Sequence, residues 1–150
     1  MDLIEIILKD EVIIYTYDQI EEAIIFLKTL SSPMVFDLHG VLDTIDDDVI
    51  LNHDISCCSY VGHQSPMRSL ARQEIKNRIA SKQLWFGVLV FKRHENHRHD
   101  VGTKAWYCLL VGAKVFLDDS FDHINNVKSY GIKTYHITKQ QPFLKTLNKL

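Results

Sequence analysis

The pattern of apolar and polar residues changes character near Pro33. Before it, residues 3–8 and 12–16 are rich in β-branched side chains and are separated by Lys9, Asp10 and Glu11, the pattern of a hairpin or of two neighbouring strands. Thr16 and Gln19 then have the spacing of a capping box. Ile20, Ala23, Ile24, Leu27 and Leu30 recur at helical period until Ser31, Ser32 and Pro33 end the run. The opening third therefore predicts a ββα unit. After Pro33, short apolar runs alternate with amphipathic segments, as in a parallel sheet covered by helices.

Within that second part the pattern predicts strands over 34–38, 54–59, 85–91, 114–117 and 132–137. Ser65 and Pro66 make a cap and first-turn pair, and Met67, Leu70, Ala71, Ile75 and Ile79 mark one buried helix face behind them. A further helix should open near Thr103 and bury Trp106, Leu109 and Leu110. Another should open near Ser120 and bury Phe121, Ile124 and Val127. The tail after Pro142, with Phe143, Leu144, Leu147 and Leu150, reads as a short closing helix. The expected architecture is α/β: a three-layer, Rossmann-like parallel sheet over residues 34–150, with the ββα extension of residues 1–33 packed on it as part of one globular unit.

Composition narrows the function classes. The 150 residues are 46% hydrophobic and 24% charged, enough for a single domain with one real core. A formal charge of −2 gives no overall basic field to gather nucleic acid or anionic membrane, so any polyanion site must be local. Cys57 and Cys58 are adjacent and Cys108 is distant, which gives neither a disulfide framework nor a paired-cysteine zinc spacing. The first residues alternate apolar and acidic, unlike a secretion signal, and no apolar run is long enough to span a membrane. A soluble, intracellular (cytoplasmic) protein is the expectation, with oligomerisation left open.

Open parallel sheets bind ligands beyond the carboxyl ends of their strands, and polar residues that follow apolar runs occur at four places. Met34-Val35-Phe36-Asp37-Leu38-His39-Gly40-Val41-Leu42-Asp43-Thr44 delivers a carboxylate from an apolar strand into a glycine-containing turn. Ser59-Tyr60-Val61-Gly62 follows the Ile55 run, Lys104 stands at a helix start, and Asp118-Asp119-Ser120 follows Val115-Phe116-Leu117.

The order and spacing of these four segments resemble the haloacid dehalogenase superfamily over residues 34–137. The Asp37 turn is the most specific of them. The acidic pair, followed by Ser120, a helix and Gly131-Ile132 opening an apolar strand, supports it. The resemblance implies a magnesium-dependent phosphohydrolase in which Asp37 attacks phosphorus and becomes an aspartyl phosphate. It implies that Asp37, the main-chain carbonyl of His39 and Asp119 hold Mg2+, with Asp118 holding metal-bound water. Ser59 and Lys104 would grip the phosphoryl oxygens, with Gly40 and Tyr60 beside them.

His39 departs from the family pattern, which has a second Asp there as general acid and base. An imidazole can donate a proton near neutral pH, so His39 is the candidate acid. The same position varies in relatives with other chemistries, so a second reading is a catalytically degenerate module that binds metal, phosphate or a partner. The connections are too short for a cap domain, which resembles the superfamily's capless members and suits a macromolecular or bulky phosphoester, or else a site that a partner chain closes to water.

Between Phe91 and Val101 lies a loop with Arg93, His94, His97, Arg98 and His99. A solvated basic loop is its plainest reading. Arg93, His94 and Arg98 are also candidates for the rim of the site, contacting substrate phosphates or a nucleic-acid backbone. That adds a nucleic-acid end phosphatase as a third reading. Zinc fits poorly, since the three histidines have no cysteine nearby and no recognised ligand spacing.

Overall fold

The structure is a computed structural model, and it describes residues 3–8, 11–15, 33–49, 51, 53–61, 67–84, 86–91 and 102–150. The helix expected within 16–30, the cap at Ser65 and Pro66, and the loop carrying Arg93, His94, His97, Arg98 and His99 lie outside these residues. So do the side chains of Tyr60 and Trp106.

Among the described residues seven strands form one sheet in the order β2-β1-β5-β4-β3-β6-β7. They are β1 (Leu3–Leu8), β2 (Glu11–Tyr15), β3 (Met34–Phe36), β4 (Ile55–Val61), β5 (Phe86–Phe91), β6 (Val115–Asp118) and β7 (Lys133–His136). From β5 to β7 every neighbouring pair is parallel. The first two strands form an antiparallel hairpin, and β1 lies antiparallel to β5. The α-helices among the described residues are α1 (Met67–Ala80), α2 (Gly102–Val111), α3 (Phe121–Lys128) and α4 (Phe143–Leu147). The parallel strands alternating with helices make this a Rossmann-like α/β fold. Among the described residues no helix is long and apolar enough to cross a membrane.

Strand alternation divides the core between the two faces of the sheet. Phe36, Leu117, Ile55 and Cys57 join Ala71, Ile75 and Ile79 of α1 and Phe143 of α4 in one cluster, where the Phe36 and Phe143 rings meet edge to face at 5.2 Å. The intervening residues Val35 and Phe116 are buried outside that cluster, as are Ala105, Tyr107 and Cys108 of α2 and Ile124 and Val127 of α3. Gly87 allows α1 to approach β5 closely, because a Cβ there would lie 2.6 Å from Ile75 Cγ2.

Three residues expected in the core are exposed: Leu70, Leu109 and Phe121. In α1 the buried stripe is Ala71, Ile75, Arg78 and Ile79, and Leu70 stands one position, about 100° of helix, away from it. In α2 the stripe is Lys104, Ala105, Tyr107, Cys108 and Val111, and Leu109 faces away from it. Phe121 opens α3 and sets its ring 5.8 Å from that of His136 instead of entering the core. Leu144 of the closing helix is likewise exposed, and Phe143 fills the core in its place.

The chain places β4 and β5 on one side of β3, then crosses to lay β6 and β7 on the other. The strand order therefore reverses between β3 and β6. A crevice opens there beyond the carboxyl ends of these two strands, the usual ligand position in such sheets.

Candidate functional site

Asp37 directly follows β3, one residue beyond the last paired strand position, and its amide donates to the Leu117 carbonyl of β6 at 2.9 Å. The strand thus ends at Phe36 and not at Leu38 as the apolar run suggested, because the chain turns as soon as Asp37 is placed. The turn is wide: Leu42 N donates to the Asp37 carbonyl at 3.2 Å and Asp43 N to the Leu38 carbonyl at 2.9 Å. Asp43 also accepts from Gly40 N at 2.8 Å. Gly40 has φ +82°, and a Cβ on it would overlap the Asp119 carboxylate, so glycine serves both the turn and the approach of Asp119.

Asp118 ends β6 and is fully buried, yet it is well provided with donors. Lys104 Nζ lies 2.6 Å from its Oδ2, His123 Nδ1 lies 3.2 Å from the same oxygen, and Ser120 N donates to Oδ1 at 2.9 Å. Lys104, from the first turn of α2, also stands 3.0 Å from Asp37 Oδ1 and is itself buried. One ammonium group therefore joins the carboxylates of the two central strands. Buried charges persist only when paired in this way. Ser120 caps α3 by accepting from His123 N, which brings His123 round to Asp118. Asp119 is exposed at the crevice; its carbonyl accepts from His136 Nε2 at 3.0 Å.

The electrostatics separate the three carboxyl groups. Burial pushes the pKa of Asp37 well above its ordinary value; the Lys104 ammonium opposes this and the Asp118 carboxylate adds to it. Asp118 is held well below the usual carboxylate range, because the His123 hydrogen bond and Lys104 outweigh its burial. Asp119 is raised by partial burial and by the neighbouring Asp118.

These residues surround a cavity of about 200 Å³ lined by Asp37, His39, Lys104, Asp118, Asp119, Ser120 and His123. Carboxylate oxygens of Asp37, Asp118 and Asp119 lie within 4.8 Å of one another. An all-oxygen donor set of this kind suits a hard divalent cation. Counting Lys104 against the three carboxylates leaves two negative charges when all are ionised, which one such ion would balance.

Six residues singled out in the sequence thus meet at one place: Asp37, His39, Gly40, Lys104, Asp118 and Asp119. For Lys104 the alternative of a solvated first-turn lysine is excluded by its burial. Ser59 departs from expectation. Parallel pairing with β5 continues to Val61 opposite Phe91, so Ser59 lies inside β4 and not beyond its end. Its hydroxyl is buried without a hydrogen-bond partner among the described residues, and it is not among the described residues lining the cavity. His123 escaped the sequence reading; the signal was its place three residues after the Ser120 cap, where the first helical turn faces back to the strand end. No protein-family model matches the chain, and no curated protein matches it either.

Proposed function

We propose that this protein is a divalent-metal-dependent phosphohydrolase of the haloacid dehalogenase type, acting on phosphomonoesters through an aspartyl phosphate at Asp37. The observation that carries the reading is the convergence of Asp37, Lys104, Asp118 and Asp119 on one cavity at the switch point of the sheet, with His39 on its wall.

The donor set fits magnesium, which Asp37, Asp119 and the main-chain carbonyl of His39 would hold, with Asp118 holding metal-bound water; when bound it would offset the charge of the phosphoryl group. Lys104 engages Asp37 through Oδ1, and this contact favours the ionised carboxylate that burial disfavours. The attacking Asp37 oxygen forms a bond to phosphorus as the ester P–O bond breaks. His39 gives the departing oxygen its proton. In the second step water attacks phosphorus and loses a proton to the imidazole, and the Asp37–phosphorus bond breaks to release phosphate. Lys104 also offsets charge building on the phosphoryl oxygens. Asp118 holds Lys104, and His123 and Ser120 N hold Asp118.

The test is phosphate release from 4-nitrophenyl phosphate and a broad phosphoester panel, with magnesium or with chelator, for the natural protein and for Asp37→Asn. Magnesium-dependent release lost in Asp37→Asn is expected. Equal background rates for both proteins across the panel would remove the proposal.

A further inference from the structure

A second cavity, of about 320 Å³, adjoins the first: His39 lines both, and Asp43, Leu70, Ala71 and Glu74 are the other described residues of its wall. Its chemistry differs from that of the phosphoryl cavity. Leu70, 63% exposed, gives this cavity an apolar wall beside Ala71. Both Arg78 contacts with Glu74 go to Oε1, and among the described residues Oε2 has no further partner. Asp43 Oδ1 accepts from Gly40 N, while its Oδ2 lies 3.6 Å from His39 Nδ1, an ion pair when the imidazole is protonated. Neither lysine nor arginine is among the described lining residues.

We propose that this second cavity is the leaving-group site and selects phosphomonoesters of amphipathic amines, such as aminoalkyl phenols. The inference rests on the phosphohydrolase reading for the reaction and on the cavity alone for the class of ligand. With the phosphoryl group beside Asp37, a substrate reaching the second cavity passes His39, which is where the ester oxygen must take its proton. When the P–O bond breaks, its electron pair leaves on that oxygen, the His39 proton neutralises it, and the free amino alcohol is the product. The apolar body would cover Leu70 and Ala71, and the ammonium would face the carboxylates of Glu74 and Asp43, whose present partners are Arg78 and His39. Anionic leaving groups, nucleotides among them, would meet two carboxylates and be disfavoured.

The experiment compares two aryl phosphates of similar size and opposite charge: 4-(2-aminoethyl)phenyl phosphate and 3-(4-phosphonooxyphenyl)propionate. Each kcat/KM is expressed relative to acetyl phosphate, whose leaving group is too small to reach Leu70. The amine ester should be preferred by about tenfold or more, and Leu70→Lys should erase or reverse the preference. Binding of the product tyramine without metal, followed by calorimetry, should weaken in the same variant; a thermal melt confirms that the variant is folded. Equal rates for the two aryl esters, or a preference and tyramine binding that Leu70→Lys leaves intact, would overturn the inference while the hydrolase reading stands. Tyramine binding sensitive to Leu70→Lys with no ester hydrolysed would instead remove the hydrolase reading, and the leaving-group role with it.

Discussion

Gly40 and Asp119, far apart in sequence, occupy adjoining space: a Cβ on Gly40 would overlap the Asp119 carboxylate, and Gly40 has the left-handed φ of +82° that favours glycine. Gly40→Ala should therefore act twice. It strains the turn by about 1–3 kcal/mol and displaces Asp119 from the acidic cluster. Isothermal calorimetry should show magnesium affinity reduced by about tenfold or more, a loss well beyond that of an ordinary surface substitution. Unchanged affinity would mean that Asp119 is not a ligand.

Lys104 offers a test of the buried charge network. Its ammonium lies between Asp37 and Asp118, so Lys104→Met leaves both carboxyl groups buried without it. Removing one partner of such a network costs about 3–5 kcal/mol, to be measured by urea unfolding without metal. A loss below about 1 kcal/mol would show that the network contributes little.

Magnesium should stabilise the protein because only the folded chain brings the carboxylates together. At a concentration of about 100 times Kd the gain is about 2.7 kcal/mol, seen as a rise in Tm that chelator reverses. Asp119→Asn should abolish most of the rise. The same rise in that variant would place the ion elsewhere.

Arg78 anchors the chain segment that follows the Asp37 turn. It is almost fully buried, and it donates to the Ile45 carbonyl at 2.9 Å and to Glu74 at 2.8 Å, while Gln83 beside it donates to the carbonyls of Asp46 and Val49, each at 3.0 Å. Arg78→Met should cost about 2–4 kcal/mol by leaving the buried Ile45 carbonyl and Gln83 Oε1 without their donor. Hydrogen exchange at residues 45–49 should accelerate before that of the central strands. Uniform exchange across the domain would refute a local anchoring role.

His39 separates turnover from binding. If it is the proton donor, His39→Ala lowers kcat by about 10²–10⁴-fold for a poor leaving group and much less for 4-nitrophenyl phosphate, whose leaving oxygen needs little help. Activity that appears only in His39→Asp would instead favour a degenerate binding module.

Much of the site was legible because each central strand ends where an apolar run meets a carboxylate: Phe36 before Asp37, and Leu117 before Asp118. Period and composition fix such ends without knowledge of the partners. They do not fix what lies one position round a helix. Leu70, Leu109 and Phe121 were assigned to buried faces that their neighbours occupy instead, since a helical stripe read from sequence is uncertain by about one residue at its margin. Lys104 and His123 show the complementary limit. A lysine in a first helical turn is ordinarily solvated, and only the crossing of α2 over the sheet buries it against two carboxylates. The length of β4 was missed for a similar reason, because its pairing with β5 carries the strand past Ser59.

Phosphoryl transfer to Asp37 is tested by a crystal structure with magnesium and fluoroberyllate, which mimics a phosphoryl group on an aspartate. Beryllium should be bonded to a carboxylate oxygen of Asp37, with magnesium held by Asp37, Asp119 and the His39 carbonyl, and Lys104 against a fluoride. Fluoroberyllate bound away from Asp37, or magnesium bound without Asp37 and Asp119, would contradict it.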